Sequence, residues 1–193
     1  MPDHIQHIRE QLHESARVKD SFSEELLSKI ARFAEAAATA IKGGHKIIFF
    51  GNGGSAADAQ HLAAELVVRL ERNRCGLAAI SLATNPSILT AAGNDFGFER
   101  IFSRQIESLA SAGDVLVALS TSGNSANVLQ AVEAGRERRT FIAGLTGETG
   151  GKLAGKVDLL VNVPSRNAQR IQEAHITIGH IVCALVEQIC CPD

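Results

Sequence analysis

The chain has 193 residues, of which 45% are hydrophobic and 21% charged, so its length and composition are those of one globular domain. Nineteen basic and 21 acidic residues give a net charge of −2, which favours neither a nucleic acid nor an anionic membrane as partner. Eight Phe but no Trp or Tyr argue against a surface that stacks sugar rings or bases.

The cysteines and the amino-terminal residues indicate the cellular compartment in which the protein is expected. The four cysteines form no C-x-x-C pair, which argues against a zinc ribbon or a redox motif. The first residues are polar rather than those of a signal peptide, and the apolar stretches are too short to span a membrane. The sequence therefore predicts a cytoplasmic protein with reduced thiols.

Residues 1–43 are expected to form a helical arm that is interrupted near 20–23 and closed by Gly43 and Gly44. Ser23, which two glutamates follow, is predicted to cap the second helix of this arm. The arm precedes a segment in which the hydrophobic period changes from helical to strand-like.

Five short apolar runs then alternate with helical stretches: 46–50, 78–82, 115–119, 141–145 and 159–163. Buried runs that alternate with helices predict a parallel sheet covered on both faces. The predicted fold class is therefore α/β, a single doubly wound parallel-sheet domain over residues 1–193. In this Rossmann-like three-layer sandwich, the helical arm precedes a core at 44–193.

Residues 168–190 form the last predicted helix, and its apolar side chains point in almost every direction around the axis. A helix of this kind must be covered by another surface. In a domain this small, a second copy of the chain is the expected cover, so the sequence predicts a homo-oligomer.

The loop after the first strand, Gly51–His61, contains three glycines that let the backbone approach a ligand closely. Ser55 is expected to cap the following helix, whose amino-terminal amide groups favour an anion. Gly51, Gly53 and Ala56 match the dinucleotide pattern G-x-G-x-x-A, but the second strand lacks the acidic residue that would bind ribose. A phosphate site and a purely structural tight turn both remain open for this loop.

The loop after the third strand, residues 120–127, carries four hydroxyl groups at the start of another helix: Ser120, Thr121, Ser122 and Ser125. Neutral hydroxyl and amide groups suit the phosphate of a sugar phosphate. Both loops are expected at the carboxyl end of a parallel sheet, where such sheets bind ligands. Together they favour a sugar-phosphate site.

Two pairs of side chains could bind a metal ion. His61 and Glu65 share one helix face, and Gln172 and His180 lie about 80° apart around the last helix. A His–Glu pair at this spacing usually lies on the solvated surface, and a histidine on an apolar helix is usually a hydrogen-bonded core residue. Together, however, the four supply imidazole, carboxylate and amide oxygen, a set that suits Zn²⁺ or another divalent ion.

The chain closely resembles the phosphoheptose isomerase family, of the sugar-isomerase (SIS) fold, in five segments: GNGGSAADAQHLAAEL, GNDFGFERIFSRQ, GDVLVALSTSGNSANV, LTGETGGKLA and VPSRNAQRIQEAHITIGHIVC. The resemblance covers residues 44–190 and, more loosely, the arm. It implies interconversion of sedoheptulose 7-phosphate and D-glycero-D-manno-heptose 7-phosphate, the first step of activated heptose biosynthesis. It also implies a homotetramer with sites at subunit interfaces.

The resemblance further implies one zinc ion per subunit, held by His61, Glu65, Gln172 and His180. It implies substrate contacts at the following positions: Asn52, Gly53, Gly54, Ser55, Glu65, Asn94, Asp95, Ser120, Thr121, Ser122, Ser125 and Gln172. We expect isomerisation through an enediol, in which Glu65 moves the proton between C1 and C2. His180 would act at the oxygens, which the metal would polarise.

Two other functions stay open. A related tetramer binds the bacterial replication initiator without catalysis, but it lacks the counterparts of Glu65 and His180, which favours an enzyme here. A sugar-phosphate sensor would usually accompany a DNA-binding module, for which this chain has neither room nor a basic helix. Cys75 stands where relatives commonly have proline, a difference expected to alter only a loop. Asn85 stands where many have aspartate, nearer the expected site, so substrate preference stays open.

Overall fold

The computed structural model describes residues 2–192. The helices and strands are α1 Pro2–Asp20, α2 Glu24–Lys42, β1 Ile47–Gly51, α3 Gly54–Val67, β2 Ala79–Ser81, α4 Pro86–Phe96, α5 Ser103–Leu109, β3 Val115–Leu119, α6 Ala126–Glu137, β4 Phe141–Thr146, β5 Leu159–Asn162 and α7 Ala168–Cys190. Short 3-10 turns occur at Phe98–Arg100 and Gly151–Leu153. None of the described helices has the length and apolar character that crossing a membrane requires.

The strands form one parallel sheet in the order β2–β1–β3–β4–β5. All residues of the central strands β1 and β3 are buried, as expected of continuous apolar runs between two helical layers. These two strands pair in register from Ile47–Val115 to Gly51–Leu119. The strand order reverses between them, so their following loops diverge and open a crevice at the carboxyl edge of the sheet.

Two apolar cores lie on opposite faces of the sheet, because alternate residues of a strand point to opposite sides. Ile47 and Phe49 of β1 belong to the core that contains α2, α3 and α7. Ile48 and Phe50 belong to the core that contains residues of α4, α5 and α6. The predicted doubly wound α/β sandwich with amino-terminal helices is therefore confirmed.

The starts of two helices test the predicted caps. Ser23 caps α2 as expected, since its hydroxyl accepts a hydrogen bond from the Leu26 N–H at 3.2 Å. The predicted cap at Ser55 is wrong, because α3 begins at Gly54 and Ser55 is buried within its first turn. Gly53 occupies the N-cap position with a φ of +56°, a left-handed conformation that glycine adopts without strain.

The last helix has the predicted bounds, but most of its apolar surface is buried by the same chain rather than by a second copy. Its largest apolar face is buried against α2, α3 and the sheet of the same chain: Ile171, Ala174, Ile178, Val182 and Val186. Ile181 remains exposed. The chain therefore covers most of α7 itself, and this helix alone gives no basis for inferring a second copy.

Candidate active site

The two glycine- and hydroxyl-containing loops begin side by side, because Gly51 pairs with Leu119 in the sheet. The side chains of Asn52 and Asn127 connect them. Each amide N–H donates to the amide oxygen of the other residue at 2.8 Å. Asn127 is buried in the first turn of α6, and no sequence motif pointed to it, although it is the last residue of the hydroxyl-rich segment. It holds the two loops at a fixed separation.

The hydroxyl-rich loop is a tight turn at the start of α6. The hydroxyl oxygens of Ser120 and Ser125 are 3.3 Å apart, and Ser125 occupies the N-cap of α6 without a side-chain cap bond. Gly123 has a φ of +65°, and a Cβ there would lie 2.0 Å from the Gly150 carbonyl oxygen. The neighbouring Gly150 loop therefore fixes this tight turn, which presents hydroxyl groups beside a helix N-terminus.

A carboxylate and two imidazoles converge between α3 and α7. The Nε2 atoms of His61 and His180 are 2.8 Å apart, and His61 Nε2 is 3.1 Å from Glu65 Oε1. Their candidate ligand atoms all lie within 4.8 Å of one another. Gly179 permits this approach of the helices, since a Cβ there would lie 2.5 Å from a terminal carbon of Leu62.

The donors of this cluster fit a metal ion of zinc's chemistry. Two imidazole nitrogens and one carboxylate oxygen are ligands that Zn²⁺ accepts, and three protein ligands leave room for substrate. They come from two helices that pack together, so the cluster is formed by the fold itself. The geometry is consistent with the predicted metal role of His61, Glu65 and His180.

Gln172 contacts the first loop from α7. A Cβ added at Gly54 would lie 2.6 Å from Gln172 Nε2 and 3.0 Å from its Oε1. Gly54 therefore leaves the space that the amide of Gln172 occupies. The structure joins Gln172 to the loop after β1, and its role as a fourth metal ligand remains a prediction.

Asn94 and Asp95 stand apart from the residues described above. They are exposed at the end of α4, where Asn94 Nδ2 donates to Asp95 Oδ1 at 2.8 Å. Within residues 2–192, no hydrogen bond connects either side chain to the two loops or to the cluster. Asn85 caps the start of α4 by accepting from the Ile88 N–H at 3.1 Å, a bond that aspartate could also accept.

Asp58 lies one turn before His61 on α3, and no sequence pattern pointed to it. Burial raises the pKa of its carboxyl, while the nearby His61 has the opposite effect on that pKa. The Oδ2 atom of Asp58 is buried without a hydrogen-bond partner in the described chain. Its carboxyl therefore adds a partly buried acidic group beside the cluster.

A buried ion pair holds the end of the helix that carries Glu65. The Glu187 carboxylate accepts hydrogen bonds from the backbone N–H groups of residues 70–72 and pairs with Arg74 at 2.6 Å. Arg74 also donates to the carbonyl oxygens of Glu65 and Leu66. Burial alone would raise the pKa of Glu187, but these donors together hold that pKa below its ordinary value. Sequence spacing offered no signal for this long-range pair.

Comparison with known proteins identifies the family. A family model described as the SIS domain matches residues 11–147. A phosphoheptose isomerase from Geobacter sulfurreducens is 53% identical over 184 residues, covering 95% of this chain and 97% of the relative. The chain belongs to the phosphoheptose isomerase family. The resemblance inferred from the five sequence segments is thereby confirmed.

Solved phosphoheptose isomerases have the same fold as this chain. The enzyme from Neisseria gonorrhoeae has a TM-score of 0.90 at 44% identity, covering 95% of this chain and 98% of that one. The enzyme from Francisella tularensis has a TM-score of 0.92 at 34% identity, with the same two coverages. The prediction of an isomerase is confirmed at the level of the family, and these relatives give no support to the non-enzymatic alternative.

Proposed function

We propose that the chain is an aldose–ketose isomerase that converts sedoheptulose 7-phosphate to D-glycero-D-manno-heptose 7-phosphate. The observation that carries this proposal is that side-chain contacts link the hydroxyl-rich loop, through the loop after β1, to the helix that bears part of the carboxylate–imidazole cluster. The Asn52–Asn127 amide pair connects the two loops, and Gln172 packs against Gly54 from the helix that bears His180. This arrangement suits a substrate with a phosphate at one end and a carbonyl at the other.

The loop at residues 120–125 would bind the phosphate. It supplies the hydroxyls of Ser120, Thr121, Ser122 and Ser125, and the first turn of α6 supplies N–H groups and the positive end of the helix dipole. The backbone at residues 52–55 would contact the sugar chain, because its glycines leave it accessible. Phosphate at one loop then directs the carbonyl end of the substrate toward Glu65.

Glu65 and His180 would carry out the proton transfers. The ketose carbonyl is at C2, so the Glu65 carboxylate removes a proton from C1 and an enediol forms. The protonated carboxyl exchanges its proton with solvent and then delivers a proton to C2. The imidazole of His180 takes the proton from O1 and supplies one to O2, which leaves an aldehyde at C1 and completes the exchange.

We assign one Zn²⁺ per subunit to His61, Glu65, Gln172 and His180. When bound, the ion would polarise the oxygens of the substrate carbonyl and hydroxyl and stabilise negative charge that develops there. A carboxylate has two oxygens, so Glu65 can serve as ligand and base if its coordination is loose. The convergence of three of the four donors supports this assignment.

We further propose a homotetramer whose sites are completed at contacts between copies. Ile5, Ile8 and Leu12 form an exposed apolar stripe on α1 that such a contact would cover. The side chains of Asn94 and Asp95 bond to each other and form no described hydrogen bond with the rest of the site, as expected if they serve a neighbouring copy. Sedimentation of the purified protein gives the oligomeric state.

Hybrid oligomers test whether sites are shared between copies. Neither Glu65→Gln nor Asp95→Ala oligomers should turn over substrate well. When the two variants are denatured, mixed and refolded, shared sites would restore part of the activity, since some sites receive both native residues. A mixture no more active than its parents would place each site within one subunit.

The substrate indicates the compartment and the place of the reaction. Sugar phosphates are charged and cross a bilayer at high energetic cost, so an enzyme that uses them works where they are made. We therefore place this step in the cytoplasm, at the start of activated heptose biosynthesis for lipopolysaccharide or capsule. Cell fractionation with an antibody to the chain tests the location.

The decisive experiment is to incubate purified protein with sedoheptulose 7-phosphate, with added zinc or after treatment with a chelator. We expect the aldose product with zinc, little product after chelation, and deuterium from heavy water at the C2 position of the product. No aldose under either condition would contradict the proposed function and favour the initiator-binding alternative.

A further inference from the structure

His175 is a fully buried polar residue on α7, between Gln172 and His180. Its Nε2 is 3.1 Å from the backbone oxygen of Thr146. Because a carbonyl oxygen only accepts hydrogen bonds, Nε2 carries the proton and donates it. Burial lowers the pKa of His175 to about 4, so the ring is neutral near pH 7.

The acceptor, Thr146, is the last residue of β4, and this strand end supports the hydroxyl-rich loop. The Gly147 N–H donates to the Thr121 carbonyl oxygen at 3.0 Å, and the Ser120 N–H donates to the Leu145 carbonyl oxygen at 3.0 Å. A displacement of the end of β4 would therefore move the proposed phosphate-binding residues with it.

The end of β4 is tightly packed against α7 and the hydroxyl-rich loop. A Cβ added at Gly147 would lie 2.6 Å from the terminal carbon of Ile171 on α7 and 2.9 Å from the Thr121 carbonyl oxygen. Helix α7 thus contacts the end of β4 through Ile171 and binds it through His175. Since α7 also carries Gln172 and His180, one rigid helix connects the phosphate loop to the cluster.

We propose that His175 is a positioning residue that fixes the distance between the phosphate loop and the His61–Glu65–His180 cluster. It thereby determines the length of sugar phosphate that the site accepts. This inference rests on the proposed isomerase function. His175 has no direct role in proton transfer, because its ring is buried and its one described hydrogen bond is to the backbone.

The test compares two substitutions of His175. His175→Leu removes the donor and should raise KM for sedoheptulose 7-phosphate by about tenfold, with kcat within about twofold of wild type. The kcat/KM preference for the seven-carbon over a six-carbon ketose phosphate should also fall. His175→Gln can place an amide N–H near the position of Nε2 and should restore most of the wild-type KM.

Val182→Ala is the matched control, because Val182 is buried on α7 about two helical turns after His175. It should lower thermal stability without changing KM. Binding of inorganic phosphate, followed as a rise in melting temperature, should weaken in His175→Leu but not in Val182→Ala. If His175→Leu does not fold, His175→Asn supplies the same comparison with a shorter polar side chain.

Three outcomes would overturn the inference: an unchanged KM in His175→Leu, a fall in kcat alone in that variant, or equal effects of the Leu and Gln substitutions. Failure of the proposed function is a separate result. In that case the wild-type protein itself forms no aldose, whereas the phosphate-binding comparison still reports on the position of the loop.

Discussion

The side-chain amides of Asn52 and Asn127 form two hydrogen bonds of 2.8 Å with each other across the crevice between β1 and β3. Asn127 Oδ1 also accepts from the Val128 N–H at 2.9 Å. One amide follows β1 and the other begins α6, so the pair ties together the loops assigned to the sugar and to the phosphate. The position of one loop thus depends on the other.

Asn127→Leu should separate the two loops. The substitution leaves the Asn52 amide unpaired and should cost about 1–3 kcal/mol of unfolding free energy and about tenfold or more in kcat/KM. Urea unfolding and steady-state kinetics measure the two effects. Gln130→Leu, at an exposed position of α6, is the control and should change neither. In the double variant Asn52→Leu/Asn127→Leu, an additive loss would show that the two amides are not coupled.

Glu65→Gln and His180→Gln should each lower kcat by about 10²-fold or more, because each removes a group that transfers a proton. Circular dichroism and sedimentation should show that both variants keep the fold and assembly of wild type. Glu35→Gln changes an exposed glutamate of α2 and should leave turnover unchanged. Near-normal rates in properly assembled variants would contradict the roles assigned to Glu65 and His180.

Glu187→Gln should lower the unfolding free energy by about 3 kcal/mol at neutral pH, because it leaves the buried Arg74 without its counter-ion. Glu133→Gln breaks an ion pair with Lys156 that is exposed and should cost under about 1 kcal/mol. Urea unfolding of the three proteins makes this comparison. Equal losses in both variants would contradict a special role of the buried pair.

The contribution of Glu187 should also depend on pH. Its pKa in the folded protein lies below the ordinary 4.5, so the folded state favours the ionised carboxylate. The stabilisation is therefore complete above the ordinary pKa and is lost as the pH falls through the folded pKa. The difference in stability between wild type and Glu187→Gln should shrink in this acid range. A difference that is constant with pH would contradict the assignment.

Gly54→Ala should disturb the site with little effect on stability. The new methyl group would displace the amide of Gln172, which is a flexible side-chain end rather than backbone, so we expect a fall in kcat/KM of about tenfold. Gly155→Ala is the control, since a Cβ there meets no atom within 4 Å. Unchanged kinetics in Gly54→Ala would show that the position of Gln172 is not important for turnover.

Much of the fold could be predicted from hydrophobic periodicity. The runs at 115–119 and 168–190 have the bounds of β3 and α7, and the other strands differ at their ends by a residue or two. The cap at Ser55 failed because the left-handed conformation of Gly53 moves the helix start, and a glycine's backbone angle is not visible in composition. The packing of α7 against α2 was not anticipated, because the two helices are far apart in the sequence. Whether a second copy also contacts α7 stays a prediction.

The site was predictable only where its residues lie on one helix at a regular spacing. His61 and Glu65 follow from helix spacing, whereas their meeting with His180 depends on the packing of two distant helices. Asn127, Arg74 and Glu187 act through hydrogen bonds and an ion pair between residues far apart in the sequence, which leave no periodic pattern in the chain. His175 looks like any histidine on an apolar helix until its acceptor on β4 is known.

The His61–His180 contact joins residues that are 119 positions apart. At about 5–20 residues per second, a ribosome needs on the order of ten seconds to progress from one to the other. During that interval the faces of α2 and α3 that α7 later covers have no partner within the chain. The nascent protein therefore spends seconds with an open apolar surface, a period in which chaperone binding and aggregation compete with folding.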